Sequence, residues 1–295
     1  LASTLDLSSF IPVDEDGTSE TTSPTVLSGS SVNTYLRCGK QWEYAYVLQL
    51  RRPPSIKQGL GIVAHEAVAL NYEQKILTFQ NLPEEEVVQK FVDEWNVIEV
   101  DIGDVVNVEG IDERTGKKTK TRKETKAQAY DSGIKAVMKH HEEVGSLVQP
   151  VWVERQINFK LNDEIDWTGT FDLADNYGRV RDNKFVSRKP QDAGPYLVPM
   201  IGYALGYRQI SEDPETEIVL DNIVRTQEPY YLPLASGGPV TDEAIRQFAA
   251  IVTDVRRGID AGVFNYNGLQ SHACGWCGYA DICPAYKAAN GGRNA

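Results

Sequence analysis

Apolar positions recur at helical spacing through the first half of the chain and give way to strict alternation in its middle. Between Leu27 and Cys38, the residues Val32, Tyr35 and Leu36 fall on one helical face, with Ser30 or Ser31 as the N-cap. A second helical stretch, Gln41 to Val47, is closed by Pro53-Pro54. Gly59 starts a third helix and places His65 about two turns in. Residues 83–99 form an acidic amphipathic helix that buries Val87, Val88, Phe91, Val92 and Trp95. Residues 124–144 form another, with Tyr130, Ile134, Val137 and Met138, and with His140-His141 facing solvent or capping its end.

From Pro150 to Leu161 the pattern alternates as a strand. Thr168–Ala174 and Arg179–Val186 then form a hairpin around Asp175-Asn176-Tyr177-Gly178, where Asn and Gly supply the unusual backbone angles. Residues 192–210 are helical despite Pro199. Strands Glu217–Thr226 and Glu228–Leu234 follow, and Thr241 or Asp242 caps a long helix, Glu243–Ala261, with Ile245, Phe248, Ile251, Val252 and Val255 inward. Residues 1–26, rich in Ser, Thr, Asp and Glu, read as a flexible acidic lead-in, and 27–295 as one domain of the α/β class.

The hairpin concentrates chemistry. Residues two apart on a strand share a face, so Asp182 and Lys184 project together, and Asp172 reaches them from the facing strand. Two carboxylates suit a hard divalent cation, and an ammonium beside them can orient a water or hold developing negative charge. A solvated strand face of alternating charge gives the same pattern. Glu154 on the preceding strand reads as a surface carboxylate, with a place beside the other acids as the alternative. His65, alone on its helix, reads as a structural hydrogen-bonder.

Composition narrows this further. The 295 residues carry a net charge of -12, which argues against broad electrostatic binding of nucleic acid but leaves room for a local basic groove. One such concentration is Arg114, Lys117, Lys118, Lys120, Arg122, Lys123 and Lys126, interrupted by a single acid, Glu124; it reads equally as a solvated loop and as a phosphate contact. No apolar run is long enough to span a bilayer and no signal peptide is visible, so the expected location is cytoplasmic. Cys38 stands far from Cys274, Cys277 and Cys283, whose C-x2-C-x5-C spacing suits a metal or cluster with Cys38 as the fourth thiolate. Zinc and an iron–sulfur cluster fit that spacing equally well.

Gly169-x-x-Asp172 followed by Asp182-x-Lys184 resembles the core of the PD-(D/E)XK nuclease superfamily. The Ser-x-x-x-Tyr-x-x-Cys start ending at Cys38, the Gly59/Gly61 element before His65, and the C-terminal Cys274/Cys277/Cys283-Pro284 run resemble its RecB-like branch, as in the AddB nuclease domain and the stand-alone exonucleases of CRISPR adaptation and of phages. The resemblance implies a restriction-endonuclease-like core, a mixed sheet flanked by helices, with 28–60 and 262–286 stapled by a [4Fe–4S] cluster on the four cysteines, His272 being a fallback ligand. It implies that His65, Asp172, Asp182 and the Asn183 carbonyl hold Mg²⁺ or Mn²⁺, with Lys184, Asp182 and Asp172 catalytic. It implies DNA as substrate, single-stranded or at ends, cut by an exonuclease of 5′→3′ polarity. Tyr203, Arg188, Lys189, Lys117, Lys118, Lys120 and Arg122 would contact that DNA, and recombination or CRISPR-adaptation proteins would be partners in a bacterial cell. Pro199 stands where the branch carries Gln. That departure favours the alternative, a catalytically weak DNA-end-binding or adaptor protein.

Overall fold

The structure, a computed structural model, describes residues 26–102, 109–111, 118–120, 124–162, 165–271 and 273–289. Among these residues the central sheet holds six strands: β1 (Val26–Ser28), β4 (Pro150–Asn162), β5 (Ile165–Asp175), β6 (Arg179–Val186), β7 (Glu217–Val224) and β8 (Tyr230–Ala235). Strands β2 (Glu109–Ile111) and β3 (Lys118–Lys120) pair separately with each other. The helices are α1 (Gly29–Arg37), α2 (Gly39–Trp42), α3 (Ile56–Thr78), α4 (Glu84–Ile98), α5 (Lys126–His140), α6 (Leu197–Ser211), α7 (Asp242–Asp260) and α8 (Pro284–Ala289). The main sheet is mixed: β1 runs parallel to β5 and β6 parallel to β7, while the β4–β5, β5–β6 and β7–β8 pairs are antiparallel.

Two helical layers cover the sheet. On one face Trp167, Phe171 and Val180 pack with Val32 of α1, Ile201 and Ala204 of α6, and Phe248, Val252 and Val255 of α7. On the other face Leu173 and Ile223 meet Val68 and Tyr72 of α3 and Ala136 of α5. Beyond them α3, α4 and α5 form their own core around Leu60, Val63, Phe91 and Trp95. The helical spacing of Val87, Phe91 and Trp95 is what buries α4, while Val88 and Val92 are half-buried. The expected α/β architecture with a mixed sheet between helices is the one observed.

Local chemistry shifts several boundaries. Ser28 caps α1, not Ser30 or Ser31, because the preceding residues are held extended as β1. Val26, placed in the lead-in by composition, pairs with Asp166; residues 1–25 lie outside the described residues. Helix α3 starts at a capping box in which Ser55 and Gln58 exchange bonds, three residues before Gly59. Gly59 is instead a packing residue: a Cβ there would meet Ile102 at 2.6 Å. In the β5–β6 turn the Asp175 carboxylate accepts the N–H groups of Tyr177 and Arg179, and Gly178, at φ +75°, takes the left-handed angle without help from Asn176.

The two ends of the described chain meet. Tyr35 donates to the Val263 carbonyl, Lys40 N–H to Asn265, and Tyr279 to Leu50, while Arg52 pairs with Asp281 at 2.9 Å and Trp42 stacks on Phe264. No described helix is long and apolar enough to cross a membrane.

Candidate active site

Strand β5 has β4 along one edge. Its other edge is shared: β1 takes Asp166–Thr168, and β6 pairs only at Leu173 and Ala174. Beyond that point β6 keeps its partner β7 as far as Val186 but leaves β5. A cleft opens at the parting, and Asp172 stands in it. Where a ladder carbonyl would have accepted, the Asp172 carboxylate accepts the backbone N–H of Asn183 at 2.7 Å.

Period-two alternation then sorts β6. Asp182 and Lys184 share the cleft face and form an ion pair, while Asn183 and Phe185 turn toward α5 and α3. From α3, His65 brings Nδ1 to 3.2 Å from Asp172 Oδ2, with its ring edge-on to Phe185. From β4, Glu154 comes in. Ligand atoms of His65, Glu154 and Asp172 lie within 4.8 Å of one another, and among the described residues no other such group of three acids, histidines or cysteines forms. Asp182, expected in that group, is drawn instead to Lys184. The donor set, one imidazole nitrogen and carboxylate oxygens, fits a divalent cation such as Mn²⁺ or Mg²⁺.

Glu154 has the exposure expected of a surface carboxylate, and it also stands beside the other acids. It is solvent-exposed, yet its backbone sits at φ +44°, a strained angle for a side-chain-bearing residue, between the Val153–Leu173 and Arg155–Phe171 pairs and so opposite Asp172. Alternation along one strand cannot reveal such a departure; the cross-strand register can.

The charges are unequal. Burial lifts the Asp182 carboxyl to about 6, with Asp172 adding repulsion against the pull of Lys184. Burial also acts on Asp172, but His65, Lys184 and the Asn183 N–H outweigh it and hold that group below its ordinary value. Desolvation of the carboxylate, with repulsion from Asp172, raises Glu154 to about 7, although the residue as a whole is exposed. Burial would depress His65 and Lys184, yet Asp172 carries the imidazole up and Asp182 carries the ammonium up. The result is a cleft in which a protonated lysine offsets clustered acids.

The remaining candidates divide. Tyr203 of α6 stands over β5, where a Cβ on Gly169 would meet its ring at 3.0 Å, and burial together with the two aspartates raises its hydroxyl pKa. The ring of Tyr196 lies 5.6 Å from the Lys184 ammonium. Arg188 and Lys189 are exposed just beyond β6. Lys118 and Lys120 lie on β3, whereas Lys117 and Arg122 fall outside the described residues, as does His272. Pro199 does not strain α6: it is the third residue of the helix, where no intrahelical partner is needed, and it packs on Gly29, whose added Cβ would lie 2.5 Å from it. What Pro199 withholds is a side-chain hydrogen bond alone.

His140, expected at a solvent-facing helix end, is fully buried. Its Nε2 lies 2.9 Å from Asn183 Oδ1 and 3.4 Å from the Tyr72 hydroxyl, and burial presses its pKa down to about 3. Neighbouring His141 bonds the Leu82 carbonyl at 2.8 Å.

Away from the cleft, Cys38, Cys274, Cys277 and Cys283 line one pocket with Tyr44, Gly268 and Tyr286. All four are free thiols. A Cβ on Gly268 would stand 3.2 Å from Cys274 Sγ and 3.4 Å from Cys38 Sγ, so the two distant cysteines flank one glycine.

The fold has a solved counterpart. A protein from Eubacterium rectale, provisionally described as an exonuclease, superposes with a TM-score of 0.51 at 10% identity, covering 90% of this chain and 88% of that one. SSO0001 superposes with a TM-score of 0.41 at 10% identity, covering 95% and 94%. No curated protein matches by sequence. Residues 26–284 match the model of the PD-(D/E)XK nuclease superfamily, and the chain belongs to that superfamily.

Proposed function

We propose that the chain is a metal-dependent DNA exonuclease acting at single-stranded or frayed ends with 5′→3′ polarity. The observation that carries this is the convergence of His65, Asp172, Asp182 and Lys184 where β5 and β6 part. The provisional description of the Eubacterium rectale protein as an exonuclease agrees with it.

His65, Glu154, Asp172 and Asp182, with the Asn183 carbonyl, are the groups that would hold Mg²⁺ or Mn²⁺. Such an ion lowers the pKa of a water from ~15.7 toward ~7 and offsets phosphate charge. The chain's own part is to aim. Lys184, kept protonated, orients the attacking water and meets the negative charge that grows on the phosphate. Asp172, the most acidic of the carboxyls, stays ionised, and its bond from Asn183 fixes its orientation. Tyr203, Arg188, Lys189 and the basic segment around Lys118 and Lys120 would track the strand.

For the cysteine pocket we propose a [4Fe–4S] cluster with a structural role. Two observations support it: the pocket that the four cysteines share, and their free thiols.

The test of the activity is digestion of 5′-labelled, 3′-labelled and circular single-stranded DNA with Mn²⁺. Short labelled products from the 5′ label, with the circle intact, are expected. Cutting of the circle, or no product from any substrate, would overturn the reading.

A further inference from the structure

Asn183 sits between the two cleft residues Asp182 and Lys184, on a strand edge that has just lost its β5 partner. Two bonds hold it on that side: its backbone N–H to Asp172 at 2.7 Å and its side-chain oxygen to His140 at 2.9 Å. An amide oxygen only accepts, so His140 carries its proton on Nε2 and presents it to Asn183. The ring's other nitrogen, Nδ1, is buried without a partner among the described residues. A buried polar atom left unmatched costs stability, and His140 lies wholly inside the protein against Tyr72 and Phe185. The bond to Asn183 is what an imidazole adds.

We infer that His140 is a positioning residue: through Asn183 it fixes the unzipped stretch of β6, and so the placement of Asp182 and Lys184 against Asp172. The inference rests on the nuclease reading of the cleft. It adds a residue outside the metal-binding and reacting groups, reaching the site from the buried side of the sheet. His140 acts as the outer support of the Asn183 peptide, whose carbonyl is among the proposed ligands, much as partners behind ligands set their orientation elsewhere.

The experiment compares wild type with His140→Gln, His140→Phe and Asn183→Ala. It reads Mn²⁺ affinity by isothermal titration, turnover on labelled single-stranded DNA, and thermal midpoint. Gln keeps a donor for Asn183 and Phe keeps the shape without one. The expected result is Mn²⁺ affinity near wild type for Gln, and weaker by about ten- to a hundredfold for Phe and for Asn183→Ala, with turnover falling in step. If Phe fails to fold, Asn183→Ala carries the comparison, since it removes the acceptor and keeps the N–H to Asp172. Wild-type affinity and turnover in any folded variant lacking the bond would overturn the inference while leaving the nuclease reading intact. A wild type that neither binds Mn²⁺ nor cuts DNA would overturn both.

Discussion

The backbone N–H of Asn183 donates to the Asp172 carboxylate across the gap where β5 and β6 stop pairing. A side chain therefore does the work of a strand, and the same carboxylate faces His65 and Glu154. Opening the sheet and building the cleft are one structural event. Asp172→Asn keeps an acceptor for Asn183 but removes the charge. It is expected to leave the thermal midpoint within a few degrees of wild type and to reduce turnover by at least about a hundredfold, since it strips the proposed cation site of an ionised carboxylate. Parallel thermal melts and turnover assays check this; a variant that cuts normally would contradict it.

Glu154 gives a second prediction. Exposed as it is, its strained backbone and its closeness to His65 and Asp172 put it within reach of the proposed cation site. Glu154→Gln should weaken Mn²⁺ binding with little effect on folding. Glu154→Gly should raise stability by up to about 1 kcal/mol, because glycine accepts the positive φ that Glu154 endures. Metal titration and chemical denaturation read the two effects separately.

Asp182 gives a pH dependence. Its carboxyl, 4% exposed, is raised to about 6 in the folded chain. The stability that its proton supplies is fully present below its ordinary value near ~3.9 and is lost as pH rises through about 6. Without metal, Asp182→Asn should therefore gain on wild type as pH rises from about 4 to 8, by on the order of 2–3 kcal/mol. Added Mg²⁺ should narrow the difference by binding the wild-type carboxylates. A gap that stays constant with pH would contradict the assignment.

Packing against the cleft wall gives a fourth. A Cβ on Gly202 would meet the Trp167 ring at 2.5 Å, so α6 lies on β5 only because that position is bare. Gly202→Ala should destabilise the chain by about 1–3 kcal/mol and disturb Tyr203, the next residue. Denaturant midpoints measure the first effect. A rise in KM for single-stranded DNA larger than the fall in kcat is the expected mark of the second.

Much of this was legible before any coordinates. Alternation along Arg179–Val186 put Asp182 and Lys184 on one face, and helical spacing buried Val87, Phe91 and Trp95. What escaped were relationships that local patterns do not carry. Glu154 is the exposed acid its strand predicts, but its place beside the other acids, its positive φ and its register opposite Asp172 belong to the sheet. His140 looked like a helix end because its burial is set by the strand beneath it, not by its own helix. Pro199 looked disruptive until its position in the first turn of α6 was fixed.

The most direct measurement is single-turnover digestion of end-labelled single-stranded DNA with Mn²⁺ by wild type and by Lys184→Met, both shown to be folded. Lys184 lies in the cleft beside Asp182, and it is the cation proposed to orient water and meet the phosphate's growing charge. Metal-dependent products from wild type, with the rate in Lys184→Met lower by about a thousandfold and DNA binding retained, are the predicted result. Equal rates for the two proteins would contradict the account of this cleft as the catalytic centre.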